Sequence, residues 1–155
     1  MATPHQFAAS NSTRVKERWL FATIAFLAAA GMIVSAVSLQ RHYAKSATKF
    51  CDVGERFNCD IVNRSEYSSL MGIPVAGIGV AGYGALLLLA TLYRLQPTTP
   101  ARLLWASAAG LIFALYLTYI EGYVLNTWCI LCLSSLALIA TITLLAAMVK
   151  ARSHA

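Results

Sequence analysis

Two pairs of cysteines, Cys51 with Cys59 and Cys129 with Cys132, are the residues of this chain whose type and spacing could carry chemistry. That chemistry is thiol–disulfide exchange. A helix running through Cys129-Ile130-Leu131-Cys132 would set two sulfurs one turn apart near one face, where a disulfide can close and reopen. Asn126 and Thr127 stand just ahead as N-caps for such a helix. A helix N-terminus favours the thiolate, and a thiol of lowered pKa is a better leaving group and, near ambient pH, a competent nucleophile. The plainer reading is two buried structural cysteines in an apolar helix. Cys51 and Cys59 lie in a polar stretch with Gly54 and Asn58, which can fold back to bridge them. Alone, that pair reads as a structural staple. Beside a second pair it reads as the mobile half of a relay, because exchange proceeds by thiolate attack through a mixed disulfide. A zinc site on all four sulfurs would call for two short-spaced knuckles, which Cys51/Cys59 does not supply, so no metal is expected.

The elements that must position these sulfurs are membrane helices. Uncharged apolar runs cover Trp19–Leu39, Ile73–Tyr93, Leu103–Ile120 and Cys129–Val149, each near the roughly 20 residues that cross a bilayer core. With 59% hydrophobic and 12% charged residues, the composition is far from that of a water-soluble domain. Backbone inside lipid must satisfy its own hydrogen bonds, so the expected fold is an all-α integral membrane protein, a four-transmembrane-helix bundle. The expected parts are an N-terminal tail (1–18), a membrane domain (19–150) and a C-terminal tail (151–155). The spans fall at about 19–39, 73–93, 103–123 and 129–149, with a long outer loop at 40–72. The first span reads as retained rather than as a signal peptide, since its apolar run exceeds a typical signal core and three spans follow. The first 13 and last five residues read as disordered. Gln96-Pro97-Thr98-Thr99-Pro100 is a short turn that makes the second and third spans antiparallel neighbours.

Orientation follows from the basic residues. With the N-terminus inside, Arg14, Lys16, Arg18, Arg94, Arg102, Lys150 and Arg152 lie on the inner side; Arg41, Lys45, Lys49, Arg56 and Arg64 lie outside, mixed with Asp52, Glu55, Asp60 and Glu66. Both termini are then cytoplasmic. Either way round, all four cysteines share one side, and with this orientation it is the oxidising one. The net charge of +6 reflects anchoring beside anionic lipid, and no nucleic-acid motif accompanies it.

Gly77-Ile78-Gly79-Val80-Ala81-Gly82 matches a dinucleotide-binding pattern letter by letter, but it lies in an apolar span with no preceding strand, so its glycines are read as allowing close helix approach or room for a flat ring. Phe113, Tyr116 and Tyr119 form an aromatic stripe better suited to packing or belt anchoring than to ring stacking. Trp19, Tyr43, Tyr93, Tyr123 and Trp128 fall where interfacial aromatics are expected. His5, His42 and His154 follow no ligand pattern, and the Asn63-Arg64-Ser65 sequon matters only in a glycosylating host.

Cys51-Asp52-Val53-Gly54, Cys59, Ser65, the Gly72-Ile73-Pro74 lead-in to the second span, and Cys129-x-x-Cys132 opening the fourth together resemble the vitamin K epoxide reductase family. The resemblance covers roughly residues 15–150 and is strongest to the bacterial homologues that oxidise periplasmic dithiols with a quinone. It implies a four-helix bundle in a bacterial inner membrane, with the cysteines on the periplasmic side and a quinone (ubiquinone or menaquinone) near the outer end. By position, Cys129 and Cys132 would be the active-site pair and Cys51 and Cys59 the shuttle pair. Cys132 would face the quinone, Cys129 would exchange with Cys59, and Cys51 would be attacked by a thioredoxin-like dithiol partner. Ser65 matches a serine of the family near the headgroup, and Ser68 occupies the place of a vertebrate asparagine; either hydroxyl could donate to a quinone oxygen, although helix capping explains both as simply. Met71 and Leu117 are further expected quinone contacts. Glu121, eight residues before Cys129, could supply or relay a proton to the reduced quinone, or could be a solvated helix end.

Two departures from the family pattern matter. Leu136 stands where vertebrate members carry a tyrosine, which counts against epoxide reduction, and no thioredoxin-like domain is fused. The expected activity is therefore a quinone-dependent thiol–disulfide oxidoreductase passing two electrons from the partner through both pairs to quinone. A vertebrate-type epoxide or quinone reductase, and a non-enzymatic membrane subunit stapled by Cys51–Cys59, are the alternatives.

Overall fold

The computed structural model describes residues 4–44 and 57–153, with side chains from Val15 onward. Cys51 therefore lies outside the described residues. Helix α1 spans Pro4–Tyr43, a short α2 spans Cys59–Asn63, and three more helices follow: α3 (Val75–Thr91), α4 (Thr99–Tyr123) and α5 (Ile130–Arg152). Between α2 and α3 lie a 3-10 turn at Glu66–Ser68 and two two-residue strands, β1 (Ser69–Leu70) and β2 (Ile73–Pro74). The strands pair antiparallel, Leu70 with Ile73, so Met71 and Gly72 form the two-residue loop. Both have positive φ, 53° and 84°, as a tight hairpin turn of this kind demands.

Three helices are long and apolar enough to cross a membrane, Val15–Tyr43 within α1, Thr99–Tyr123 and Ile130–Arg152; α3 is apolar but only 17 residues long. Residues 4–13, read as disordered from sequence, are instead helical. A helix already nucleated in the span extends at little cost, since each added residue brings its own hydrogen bond. In the same way α5 carries on to Arg152, and Lys150 and Arg152 place positive charge in its last turn, where the helix dipole favours it.

The four long helices close a ring: α1 packs on α3, α3 on α4, α4 on α5, and α5 back on α1. At the end opposite the cysteines the ring is filled by Ile24, Ala28, Leu86, Leu103, Ile142 and Val149. Large apolar side chains also cover the outside: Phe26 is 74% and Trp105 77% exposed. An outer surface of this kind is stable only against lipid.

The glycines of α3 and α1 set how near those helices come. A Cβ on Gly79 would lie 2.7 Å from Ser35 Oγ, and one on Gly31 would lie 2.3 Å from the Tyr83 ring. Tyr83 cannot swing aside freely, because it is buried and its hydroxyl donates to the Ser135 carbonyl at 2.8 Å. Gly31→Ala is therefore expected to lower stability by about 1–3 kcal/mol, as overpacking of a filled interior does. Thermal unfolding in detergent checks it.

Candidate functional site

The site is assembled at one end of the helix ring, where the α1–α3 and α4–α5 connections converge. Helix α2 begins at Cys59, and Asn58 caps it: the Asn58 side-chain oxygen accepts from the N–H groups of Asp60 and Ile61 at 3.1 Å each. The residues just before α2 are tied to those just before α5. Phe57 and Trp128 form a backbone bridge, and Asn58 N–H donates to the Trp128 carbonyl at 3.2 Å. Cys59 and Cys129, 70 residues apart, are thereby packed with Val62 in one buried cluster that Leu125, Leu131 and Cys132 adjoin. Cys59 is 1% exposed and disulfide-bonded; Cys129 is 0% exposed, and it and Cys132 are free thiols.

The cap of α5 differs from the sequence expectation. Neither Asn126 nor Thr127 caps the helix. Asn126 takes a left-handed conformation (φ 48°) in the α4–α5 connection, and the Thr127 hydroxyl donates to the Leu125 carbonyl at 3.1 Å. The helix starts at Ile130, and Cys129 is the extended residue ahead of it. Its N–H is met by tertiary structure: Oε2 of Glu121 accepts it at 3.1 Å. Glu121 is 2% exposed, so the solvated-helix-end reading is excluded. The second carboxylate oxygen, Oε1, is buried with no hydrogen-bond partner. A carboxylate oxygen of Glu121 and the sulfurs of Cys129 and Cys132 lie within 4.8 Å of one another. That donor set could also hold a soft divalent ion.

Cys129 sits just outside the helix, and its thiol is held below the usual cysteine range. A hydrogen bond with the Cys132 thiol is the main cause, helped by the backbone N–H groups of Cys132 and Leu131; burial and the Glu121 charge oppose it. A thiol held in this direction is the better attacking sulfur of the pair.

Beneath the cysteines the ring encloses a cavity of about 370 Å³. Its wall is mostly apolar and includes Phe113, Leu117 and Ile139, with Cys132, Glu121 and Asn63 among its polar members. Ser65, Ser68, Leu117 and Glu121, all expected from sequence, line it. Met71 does not. It is fully exposed at the hairpin tip, because a positive-φ loop residue projects away from the bundle. The serines are in place but their hydrogens are engaged: Ser65 donates to the Val62 carbonyl at 2.8 Å and Ser68 to the Ser65 carbonyl at 2.6 Å. Neither hydroxyl caps the 3-10 turn; each donates back to a carbonyl three residues earlier. Of the aromatic stripe only Phe113 reaches the cavity; Tyr116 and Tyr119 are more than half exposed on the outer face.

Sequence reasoning missed much of the lining, including three polar residues that take part in its hydrogen bonding or leave a group unpaired. His42 lies at the end of α1, its Nδ1 2.6 Å from the Asn63 carbonyl, which can only accept, so Nδ1 carries the proton. Tyr83 bridges α3 to Ser135. Asn63 heads the Asn63-Arg64-Ser65 sequon, but at 6% exposure it is no glycosylation acceptor in the folded chain. None of the three had a local signal, since their partners lie 21 or more residues away. Across most of the chain, residues 22–147 match the Vitamin K epoxide reductase family.

Proposed function

The chain belongs to the vitamin K epoxide reductase family, whose members are oxidoreductases, and from that premise we propose that it is a quinone-dependent thiol–disulfide oxidoreductase of the bacterial type. The observation that carries the reading is the junction of two compartments at one pair of sulfurs. Cys129 packs against Cys59 on the outer side, while Cys132 lines an apolar cavity on the inner side.

In this reading α3 is the fourth span. Seventeen residues rise about 26 Å, a little under the roughly 30 Å of a bilayer core, and the extended Ile73-Pro74 lead-in adds to that length. The basic end of the bundle faces the cytoplasm and the cysteines face the periplasm.

A reduced thioredoxin-like partner attacks Cys51 of the loop disulfide and leaves Cys51 and Cys59 as thiols. Cys59 then attacks Cys129 of the oxidised active-site pair, and Cys132 departs as thiolate. Cys51 attacks Cys59 in turn, which re-forms the loop disulfide and frees Cys129. Closing the Cys129–Cys132 disulfide gives up two electrons.

A bound quinone would take up those two electrons with two protons, and the lining suits it: a flat apolar ring fits a largely apolar cavity, and a carboxylate oxygen of Glu121 lies within 4.8 Å of the Cys132 sulfur. Glu121 passes a proton to the reduced quinone. Glu121→Gln keeps an acceptor for the Cys129 N–H but loses the transferable proton. Its quinol-forming rate is expected to fall about 10²-fold, the scale of general-acid catalysis, while exchange between loop and active-site pair continues. Single-turnover quinone absorbance, compared with thiol trapping, measures the two steps separately.

The overall test is quinone reduction by the purified chain in proteoliposomes with a reduced thioredoxin-like protein as donor. Wild-type turnover supports the assignment; no reduction with any dithiol donor would sink it in favour of a stapled structural subunit.

A further inference from the structure

Asn63 ends α2 with its side chain inside the cavity. Its Nδ2 is buried without a hydrogen-bond partner, and among the described residues no other buried side-chain nitrogen is left so. Folded proteins rarely leave a buried N–H unpaired, since doing so forfeits its hydration with no return. The backbone that carries the amide is also firmly placed. The Asn63 main-chain carbonyl accepts from His42 Nδ1 at 2.6 Å, Asn58 caps the start of the same short helix, and Cys59 anchors it through a disulfide. A buried, unpaired donor on a residue of the cavity wall implies an acceptor on the molecule that fills it. The neighbouring hydroxyls of Ser65 and Ser68 do not supply this donor, because their hydrogens go to backbone carbonyls.

We propose that the Asn63 amide donates a hydrogen bond to one carbonyl oxygen of the quinone, fixing the headgroup in the same cavity that Cys132 and Glu121 line. The proposal rests on the quinone reading above and adds to it the group that orients the ring. A donor so placed also meets the negative charge that builds on the carbonyl oxygen as electrons arrive, which is where a preorganised N–H has most effect.

The test uses the full chain in detergent with dithiothreitol as donor and a short-chain ubiquinone as acceptor, comparing wild type with Asn63→Leu and Asn63→Asp. Both variants remove the donor; the second keeps the shape and still decides the matter if the first does not fold. Expected is a fall in kcat/KM of about 10²-fold in both, with the quinone-free Asn63→Leu protein melting no lower than wild type, because an unsatisfied group has been removed. The carbonyl stretch of isotope-labelled quinone, shifted down when bound to wild type, returns toward its free frequency in the variants. Wild type that reduces quinone while both variants stay within about twofold of its kcat/KM overturns the Asn63 assignment alone. A lower melting temperature with unchanged kinetics does the same, by making the amide structural. Failure of wild type to reduce quinone overturns the quinone reading itself.

Discussion

Cys132→Ser will reduce quinone at no measurable rate with any donor, a loss of at least about 10³-fold, because the sulfur that completes the active-site disulfide is gone and neither cysteine of the pair can act without the other. The variant should also trap an intermediate. Cys129 keeps its thiol, stays in the buried cluster with Cys59, and faces a disulfide-bonded sulfur. Its thiolate attacks Cys59, the bond from Cys59 to Cys51 breaks, Cys51 leaves as thiolate, and a Cys129–Cys59 mixed disulfide accumulates because Cys132 is not there to resolve it. Peptide mapping without reductant would find that cross-link. Absence of both the cross-link and the activity loss would return Cys129 and Cys132 to the status of buried structural thiols.

Cys59→Ser separates the two donors. With a reduced thioredoxin-like protein, turnover should fall by about 10²-fold or more, since a folded partner has no route to sulfurs that sit at or below the bundle surface. With dithiothreitol, a small dithiol able to reach the partly exposed Cys132 of the active-site disulfide from the cavity, reduction should persist. The split follows from burial: Cys129 is fully covered, and Cys59 is the sulfur packed against it. Equal loss with both donors would mean that Cys59 supports the site rather than feeding it. Equal retention would remove the relay altogether.

Much of this was legible along the chain because membrane helices are specified locally. Runs of about 20 apolar residues announce spans wherever they occur, and Cys129-x-x-Cys132 opens the last of them. Even so, local signals misled at two points. Asn126 and Thr127 have the right chemistry to start a helix, yet the N–H of Cys129 found a carboxylate one helix away. Ser65 and Ser68 have the right chemistry to donate to a ligand, yet carbonyls three residues back hold their hydrogens. Short polar side chains satisfy the nearest unpaired backbone group first, and a ligand competes only for what is left.

By itself the sequence determined the apolar helical architecture, the grouping of the cysteines along the chain as 51/59 and 129/132, and the presence of an acid eight residues before the second group. Each of these depends on residue type and on spacing along one or two helical turns. Only the tertiary structure decided that Cys59 meets Cys129, that Glu121 is buried with one oxygen bonded and one idle, and that Asn63 presents an unpaired amide to the cavity. Those facts depend on how four helices close into a ring and on a backbone bridge between Phe57 and Trp128, 71 positions apart. Contacts at that separation arise from packing against surfaces that no local pattern encodes.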